Sequence, residues 1–317
     1  MQNKENTPKA IVLMLLGMSV FAMQDALIKI ISEEANLFLI YFTRGLIGVL
    51  LLSLFLYYKK EPIILKTHYP KLTILRGTLF FISFTLYYYS LTKLSLAKAI
   101  TLFFVSPFFI TIFSIIFLKE IIGPKRWFAI FIGFIGVYLV MEPDFSNFNI
   151  FSTFPIFCAI GYALTMIIQK ITSEKDNLYS QTFHLFFAAI FFASIIGIVT
   201  GDGKFYDSTT NKDLMFLLQT WKINSFSMVG IFLSIGIITV FGFLCVFQAY
   251  RIGSPPSVAP FEYIIIIWGL IISWFLWKET LSLSGYIGLF LIVFGGVYTY
   301  LREMRKKVKI TINKPLR

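Results

Sequence analysis

The chain has 317 residues, 57% of them apolar and 14% charged, with a formal net charge of +12; ordinary soluble domains run to about 45–50% apolar and about 25% charged. Water is therefore not its main solvent. On so apolar a background the positive charge reads as membrane topology rather than a nucleic-acid surface, and two cysteines build neither a disulfide framework nor a metal site.

Apolar spans centre on residues 10–31, 37–57, 72–92, 96–118, 126–141, 150–170, 178–199, 226–249, 256–277 and 283–301. Most reach the roughly 20 residues that a helix needs to cross a hydrocarbon core of about 30 Å. The runs are continuous rather than alternating, which excludes a membrane barrel. The expectation is an all-α polytopic membrane protein of ten transmembrane helices, the first retained because it is too long for a signal-peptide core.

In the first span Gly17, Phe21, Gln24, Asp25 and Ile28 fall along one helical face. Asp25 and Arg44 of the second span lie at one depth. A mid-membrane charge costs on the order of 2.5–3.5 kcal/mol, so the two read either as an ion pair tying the first hairpin or as solute-sensing charges. Lys29, a turn beyond Asp25, is placed to snorkel to the outer surface. The third span carries Arg76, the run Tyr87, Tyr88 and Tyr89, of which at least one must face lipid or a neighbour, and Ser90. Phe103, Phe104, Ser106, Pro107 and Phe108 follow in the fourth, where Pro107 removes a backbone donor and frees carbonyls for a ligand or a bend.

The sixth span repeats the polar face of the first as Cys158, Tyr162, Thr165, Met166 and Gln169. Such a face is either a helix–helix seam or a cavity lining. His184 enters the seventh span and His68 lies in a loop; both read first as structural histidines. Gln248 in the eighth span matches Ser90 at an offset of 158. Pro255, Pro256 and Pro260 interrupt the entrance to the ninth, which also carries Glu262, Tyr263, Trp268 and Trp274. Arg76 and Glu262 are level and form a second possible ion pair, and Glu262 is the better candidate for proton coupling.

The chain also repeats itself. Lys29, Ile30, Ser32, Glu33, Asn36, Leu37 and Phe42 recur as Lys170, Ile171, Ser173, Glu174, Asn177, Leu178 and Phe183 at an offset of 141. Lys119-Glu120 and Gly136-Val137-Tyr138 recur as Lys278-Glu279 and Gly296-Val297-Tyr298 at 158 to 160. Each copy holds five spans, an odd number, so the second enters from the opposite side, which is the inverted-repeat plan of secondary transporters. The units are residues 10–141 and 150–302, followed by a basic tail, 303–317. With the N-terminus inside, Lys59, Lys60, Lys66, Lys71, Lys119, Lys125, Arg126, Lys170, Lys175 and the tail cations are cytoplasmic. Glu33, Glu34, Glu142, Asp144, Asp202, Asp207 and Asp213 then lie outside, in agreement with the positive-inside rule. Both termini are expected in the cytoplasm.

Leu75-Arg76-Gly77, Tyr88, Ser106-Pro107, Phe117-Leu118-Lys119-Glu120, Gly133, Gly136 and Glu142-Pro143 together resemble the EamA-type repeat of the drug/metabolite transporter superfamily. Val258-Ala259-Pro260-Phe261-Glu262-Tyr263 and Trp277-Lys278-Glu279 are similar to its second copy. The resemblance implies ten helices in two inverted five-helix repeats around a central cavity, lined mainly by helices 1, 3, 4, 6, 8 and 9. Asp25, Arg44, Arg76 and the Pro-Phe-x-Tyr run also resemble the subset containing bacterial S-adenosylmethionine uptake carriers. One departure is that Lys119 and Lys278 stand where a short side chain usually precedes the glutamate.

No nucleophile–base constellation, phosphate loop or metal-ligand pair supports an enzyme. The leading expectation is a carrier of the bacterial inner membrane that moves one small amphiphilic metabolite (an amino acid, an amine or a nucleoside-derived compound) by alternating access. Phe21, Gln24, Tyr88, Ser90, Ser106, Pro107, Tyr162, Thr165, Gln169, Gln248, Tyr263 and Trp268 would contact the solute; Asp25, Arg44, Arg76 and Glu262 would set charge preference or coupling. No cofactor is needed; a proton or exchanged solute is the possible coupling partner, and oligomeric state is left open. The competing classes are a membrane receptor or scaffold that binds without moving its ligand, and a passive channel.

Overall fold

The computed structural model describes residues 6–119, 124–141, 149–206 and 214–312. Glu120, Glu142, Pro143, Asp144, Asp207 and Asp213, used above, lie outside the described residues.

The helices in chain order are α1 (Thr7–Ile31), α2 (Leu37–Lys59), α3 (Pro70–Ser90), α4 (Leu96–Phe103), α5 (Ser106–Leu118), α6 (Pro124–Met141), α7 (Phe154–Thr172), α8 (Leu178–Thr200), α9 (Met215–Leu218), α10 (Phe226–Ile252), α11 (Pro255–Val258), α12 (Ile264–Trp277) and α13 (Leu283–Ile312). Short 3₁₀ turns precede α7 and α12, at Ile150–Thr153 and Ala259–Tyr263. No strand occurs among the described residues. Among the described residues six stretches are long and apolar enough to cross a membrane: α1, α2, the α4–α5 pair, α7 with its 3₁₀ turn, α8 and α10. The chain is thus a polytopic helical protein, the architecture that satisfies every backbone polar group inside lipid. Large apolar side chains accordingly point outward, such as Ile198, Phe226 and Phe275.

Local chemistry explains the boundaries. The Asn36 side chain accepts from the Phe38 amide at 2.8 Å and that of Asn177 from the Ser180 amide at 2.7 Å, so the same residue type starts α2 and α8. The fourth span, expected as one helix over 96–118, is broken at Phe104 and Val105, since Pro107 has no N–H to continue the ladder. The ninth span breaks at the equivalent place: Tyr263, 159 residues after Phe104, is the last residue before α12. The prolines are not equivalent but the interruptions are, and the Phe104 and Tyr263 rings meet at 5.4 Å. The tail, expected as a separate segment from 303, continues α13 as far as Ile312.

The packing crosses between the two halves of the sequence. α1 lies on α10, α3 on α7, α2 on α8 and α6 on α13. Glycines permit the approach: a Cβ on Gly77 would sit 2.6 Å from that of Ala188, and one on Gly236 2.5 Å from the Ile47 side chain. The ends of α1 identify two polar clusters. At its start the Asn6 amide donates to the Ile252 carbonyl (3.0 Å), and Lys170 reaches the Arg251 and Gly253 carbonyls (3.2 and 2.9 Å). Asp176, beside Asn177, belongs to this end too, because Arg251 donates to its backbone carbonyl at 2.7 Å. At the far end of α1, Lys29 reaches the Leu94 carbonyl (3.1 Å) and Glu279 (3.2 Å), and Asn36 donates to the Leu217 and Gln219 carbonyls. Lys29 therefore does not snorkel. Its side chain is only 11% exposed and also lies 4.9 Å from the Trp277 ring.

Candidate solute-binding site

Where α1, α3, α7 and α10 cross, the helices leave a cavity of about 40 Å³ for the centres of water molecules. That is room for a few waters, at roughly 10–15 Å³ for each. Its walls are aromatic: Phe21, Phe80, Phe84, Phe103, Phe243 and Phe247, with Tyr87, Tyr88 and Tyr162. Three polar side chains join them, Gln24, Asp25 and Arg44. A larger solute needs these rings to part.

The polar groups are held by one another in an order that sequence spacing does not show. The Tyr87 hydroxyl donates to Asp25 Oδ2 at 2.9 Å. Gln24 donates through Nε2 to the Tyr88 hydroxyl (2.9 Å) and accepts through Oε1 from Thr239 (2.5 Å). The Arg44 guanidinium lies over the Tyr41 ring at 4.3 Å and 5.8 Å from that of Tyr88. The expected Asp25–Arg44 ion pair is not formed: among the described residues no carboxylate stands within salt-bridge distance of Arg44, and no protein acceptor takes its N–H groups. Tyr87 satisfies Asp25 instead. The cavity thus presents a buried carboxyl and a buried guanidinium, 6% and 4% exposed, that make no direct contact with each other. Burying such groups is costly unless they are paired and hydrogen-bonded.

Glu262 stands behind the cavity wall, fully buried, its Oε1 accepting from Tyr162 at 2.8 Å and from Tyr250, its Oε2 without a partner. The second expected pair, Arg76–Glu262, is likewise absent. Arg76 gives one long bond to the Gln181 carbonyl (3.3 Å) and lies 4.6 Å from the Phe247 ring.

Of the other expected contact residues, Phe21, Gln24, Tyr88 and Tyr162 line the cavity, and eight do not. Ser90 and Thr165 turn back to the Tyr87 and Tyr162 carbonyls, at 2.6 and 2.7 Å. Gln169 bonds Gln181 at 2.6 Å, and the Trp268 indole donates to Ser19 at 2.9 Å. Ser106 and Pro107 are buried at the start of α5, and Tyr263 against Phe104. Gln248 is half-buried off the lining face. The reason is register: the lining residues Phe84, Tyr87 and Tyr88 correspond to Phe243, Val246 and Phe247 at 159, not 158, and one residue turns a helix by about 100°. Tyr89 meets Phe151 edge-on and stacks on Phe154 away from the cavity, while Trp274 is exposed and Phe108 packs over Gly133. Phe80, Phe84, Phe243 and Phe247 were not anticipated, because nothing distinguishes them from the rest of the chain's 37 phenylalanines except the face they share with Tyr88.

The comparisons with known proteins agree with a membrane carrier. The S-adenosylmethionine uptake transporter of Rickettsia prowazekii (strain Madrid E) is 26% identical over 266 residues, covering 84% of this chain and 83% of the relative. The pseudopaline exporter of Pseudomonas aeruginosa (strain UCBPP-PA14) is 24% identical over 85% of this chain and 88% of its own. A solved crystal structure superposes with a TM-score of 0.69 at 15% identity over 95% of this chain and 99% of that one, a likeness of fold alone. The EamA-like transporter family is matched twice, over residues 8–142 and again over 152–301. With nearly the whole chain accounted for by those two matches, and with relatives named as transporters, the protein belongs to the EamA-like transporter family of the drug/metabolite transporter superfamily, as a multi-pass membrane protein.

Proposed function

We propose that the chain is a secondary transporter of the bacterial inner membrane that carries a small amphiphilic metabolite bearing both an ammonium and a carboxylate, by alternating access around the cavity. The observation that carries this reading is a buried carboxyl and a buried guanidinium, held apart from each other among aromatic rings of the cavity wall. Asp25 faces a cationic amine, the planar Arg44 fork a carboxylate, and Phe84, Phe103 and Tyr87 the apolar or sulfonium-bearing remainder. Amino acids and adenosyl amino acids such as S-adenosylmethionine have this chemistry, and S-adenosylmethionine uptake is the named role of a relative.

Two inverted five-helix repeats, 10–141 and 150–302, give the frame. Support comes from Asn36 and Asp176 belonging to opposite ends of α1, and from the helix pairs that cross between halves. Placing the Asp176 end in the cytoplasm, with both termini, follows the lysine distribution. Cysteine variants at the exposed repeat-related positions Glu34 and Lys175 should then be labelled from opposite faces of the membrane; labelling from one face sinks the frame.

Counterflow in proteoliposomes tests the function. Labelled S-adenosylmethionine or L-methionine should exchange saturably and faster when unlabelled solute is on the far side, whereas adenosine, which lacks both charges, should not compete. Binding without exchange identifies a receptor, and flux that does not saturate identifies a channel.

A further inference from the structure

Arg76 is 3% exposed, and its bond to the Gln181 carbonyl uses only Nη1. Nε and Nη2 have no partner among the described residues. These two atoms form one edge of the guanidinium, the edge that takes a carboxylate through two parallel N–H bonds. Neither nearby acid pairs with it: Glu262 accepts from Tyr162 and Tyr250 through Oε1, Asp176 takes Thr67 and His68, and neither stands within salt-bridge distance of Arg76. Position links the arginine to the cavity. Arg76, Phe80 and Phe84 recur every four residues along one face of α3, and Phe80 and Phe84 are cavity wall. Phe247 is shared, one more wall residue whose ring also lies under the Arg76 guanidinium.

We propose that Arg76 is a second binding station for the solute's carboxylate, one helical turn beyond the cavity towards the Asp176 end, reached when the Phe247 ring swings aside. The carboxylate passes from the Arg44 fork to the Arg76 fork, so that the anionic group does not cross the inner half of the bilayer unpaired. This rests on the transport reading above, but it is tested separately.

Thermal unfolding of the purified full-length chain needs no solute. Arg76→Met removes a buried cation that has no carboxylate within salt-bridge distance among the described residues, and raises the unfolding temperature by several degrees; a lowered temperature makes Arg76 a structural strut and overturns the proposal. Counterflow then uses S-adenosylmethionine and its decarboxylated form as probes. Arg76→Gln slows exchange of the carboxylate-bearing probe about tenfold or more and leaves its equilibrium binding and the rate of the decarboxylated probe at wild-type values, and Arg76→Lys recovers part of the loss. Equal slowing of both probes, or of neither, overturns the station. If neither probe exchanges in the wild type, the transport reading for this solute fails, and the unfolding measurement still decides the station.

Discussion

Lys29 and Lys170, 141 residues apart, each reach from the end of a cavity helix to carbonyls at the end of another, while Ser32 and Ser173 each bond the carbonyl of the lysine beside them. Asn36 and Asn177 each start the following helix. At the cavity this agreement stops. Asp25, Arg44 and Arg76 of the first half correspond to Met166, Leu185 and Ile235 of the second, and Glu262 of the second corresponds to Phe103 of the first. Backbone ends must be satisfied wherever a helix stops, so both halves keep the same caps. A solute without two-fold symmetry needs only one set of charges, so a single copy of each suffices.

The largest expected effects are therefore at the single-copy charges. Arg44→Gln and Asp25→Asn should each weaken solute binding by about 2 kcal/mol or more, roughly 30-fold, because each leaves one charged group of the solute without its partner. Met166→Leu and Leu185→Met, at the mirror positions, should change binding less than about threefold. Titration calorimetry of the four purified variants with the solute that exchanges in counterflow checks the contrast, and equal losses at the mirror positions would break it.

Asp176 is a frame residue without a copy, since Ala35 stands at its mirror position. It takes hydrogen bonds from Thr67 Oγ1 (2.5 Å) and the His68 amide (2.9 Å), and meets the His68 ring at 3.0 Å, pinning the loop before α3. Burial alone would raise its pKa, but these partners outweigh it and hold the carboxyl below the usual value. Asp176→Ala should cost about 2 kcal/mol of stability near neutral pH. A carboxyl with a depressed folded-state pKa stabilises the fold above its unfolded value, about 3.9, and loses that contribution as pH falls through the folded value. The gap between wild type and variant in unfolding midpoint should thus be flat near pH 7 and close below about pH 4.

The frame was more legible in the sequence than the site was. Continuous apolar runs and asparagines ahead of α2 and α8 mark most helix ends to within a few residues. Pro107 signals an interruption but not that Phe104 and Val105 carry it. The site needs a finer variable: whether Asp25 meets Arg44 or Tyr87 depends on side-chain geometry over 62 residues of separation, and a one-residue error in offset moves the match of Ser90 from Ala249 to Gln248. Phenylalanine walls give no compositional signal in a chain where lipid selects the same residue.

Copies that belong to the frame should respond alike. Gly77→Ala and Gly236→Ala each drive a methyl into the mirror-related residues Ala188 and Ile47. Each should cost about 1–3 kcal/mol from overpacking, with unfolding midpoints within a degree or two of each other. A large difference would mean that one crossing, not both, carries the bundle.

The smallest effect separates two copies that share a strain. Lys119 and Lys278 end α5 and α12 in the left-handed region, with φ of 56° and 58°. Glycine holds that conformation at no steric cost, whereas other L-residues give up about 1 kcal/mol. Lys119→Gly should therefore stabilise the chain by about that amount. Lys278→Gly should gain less, because its ammonium lies 4.9 Å from the Trp274 ring and that contact offsets about 0.5–1 kcal/mol. Unfolding midpoints that rise for Lys119→Gly and stay nearly level for Lys278→Gly would show the lysine at each position as tolerated for different reasons, strain alone at the first and strain set against a cation–ring contact at the second.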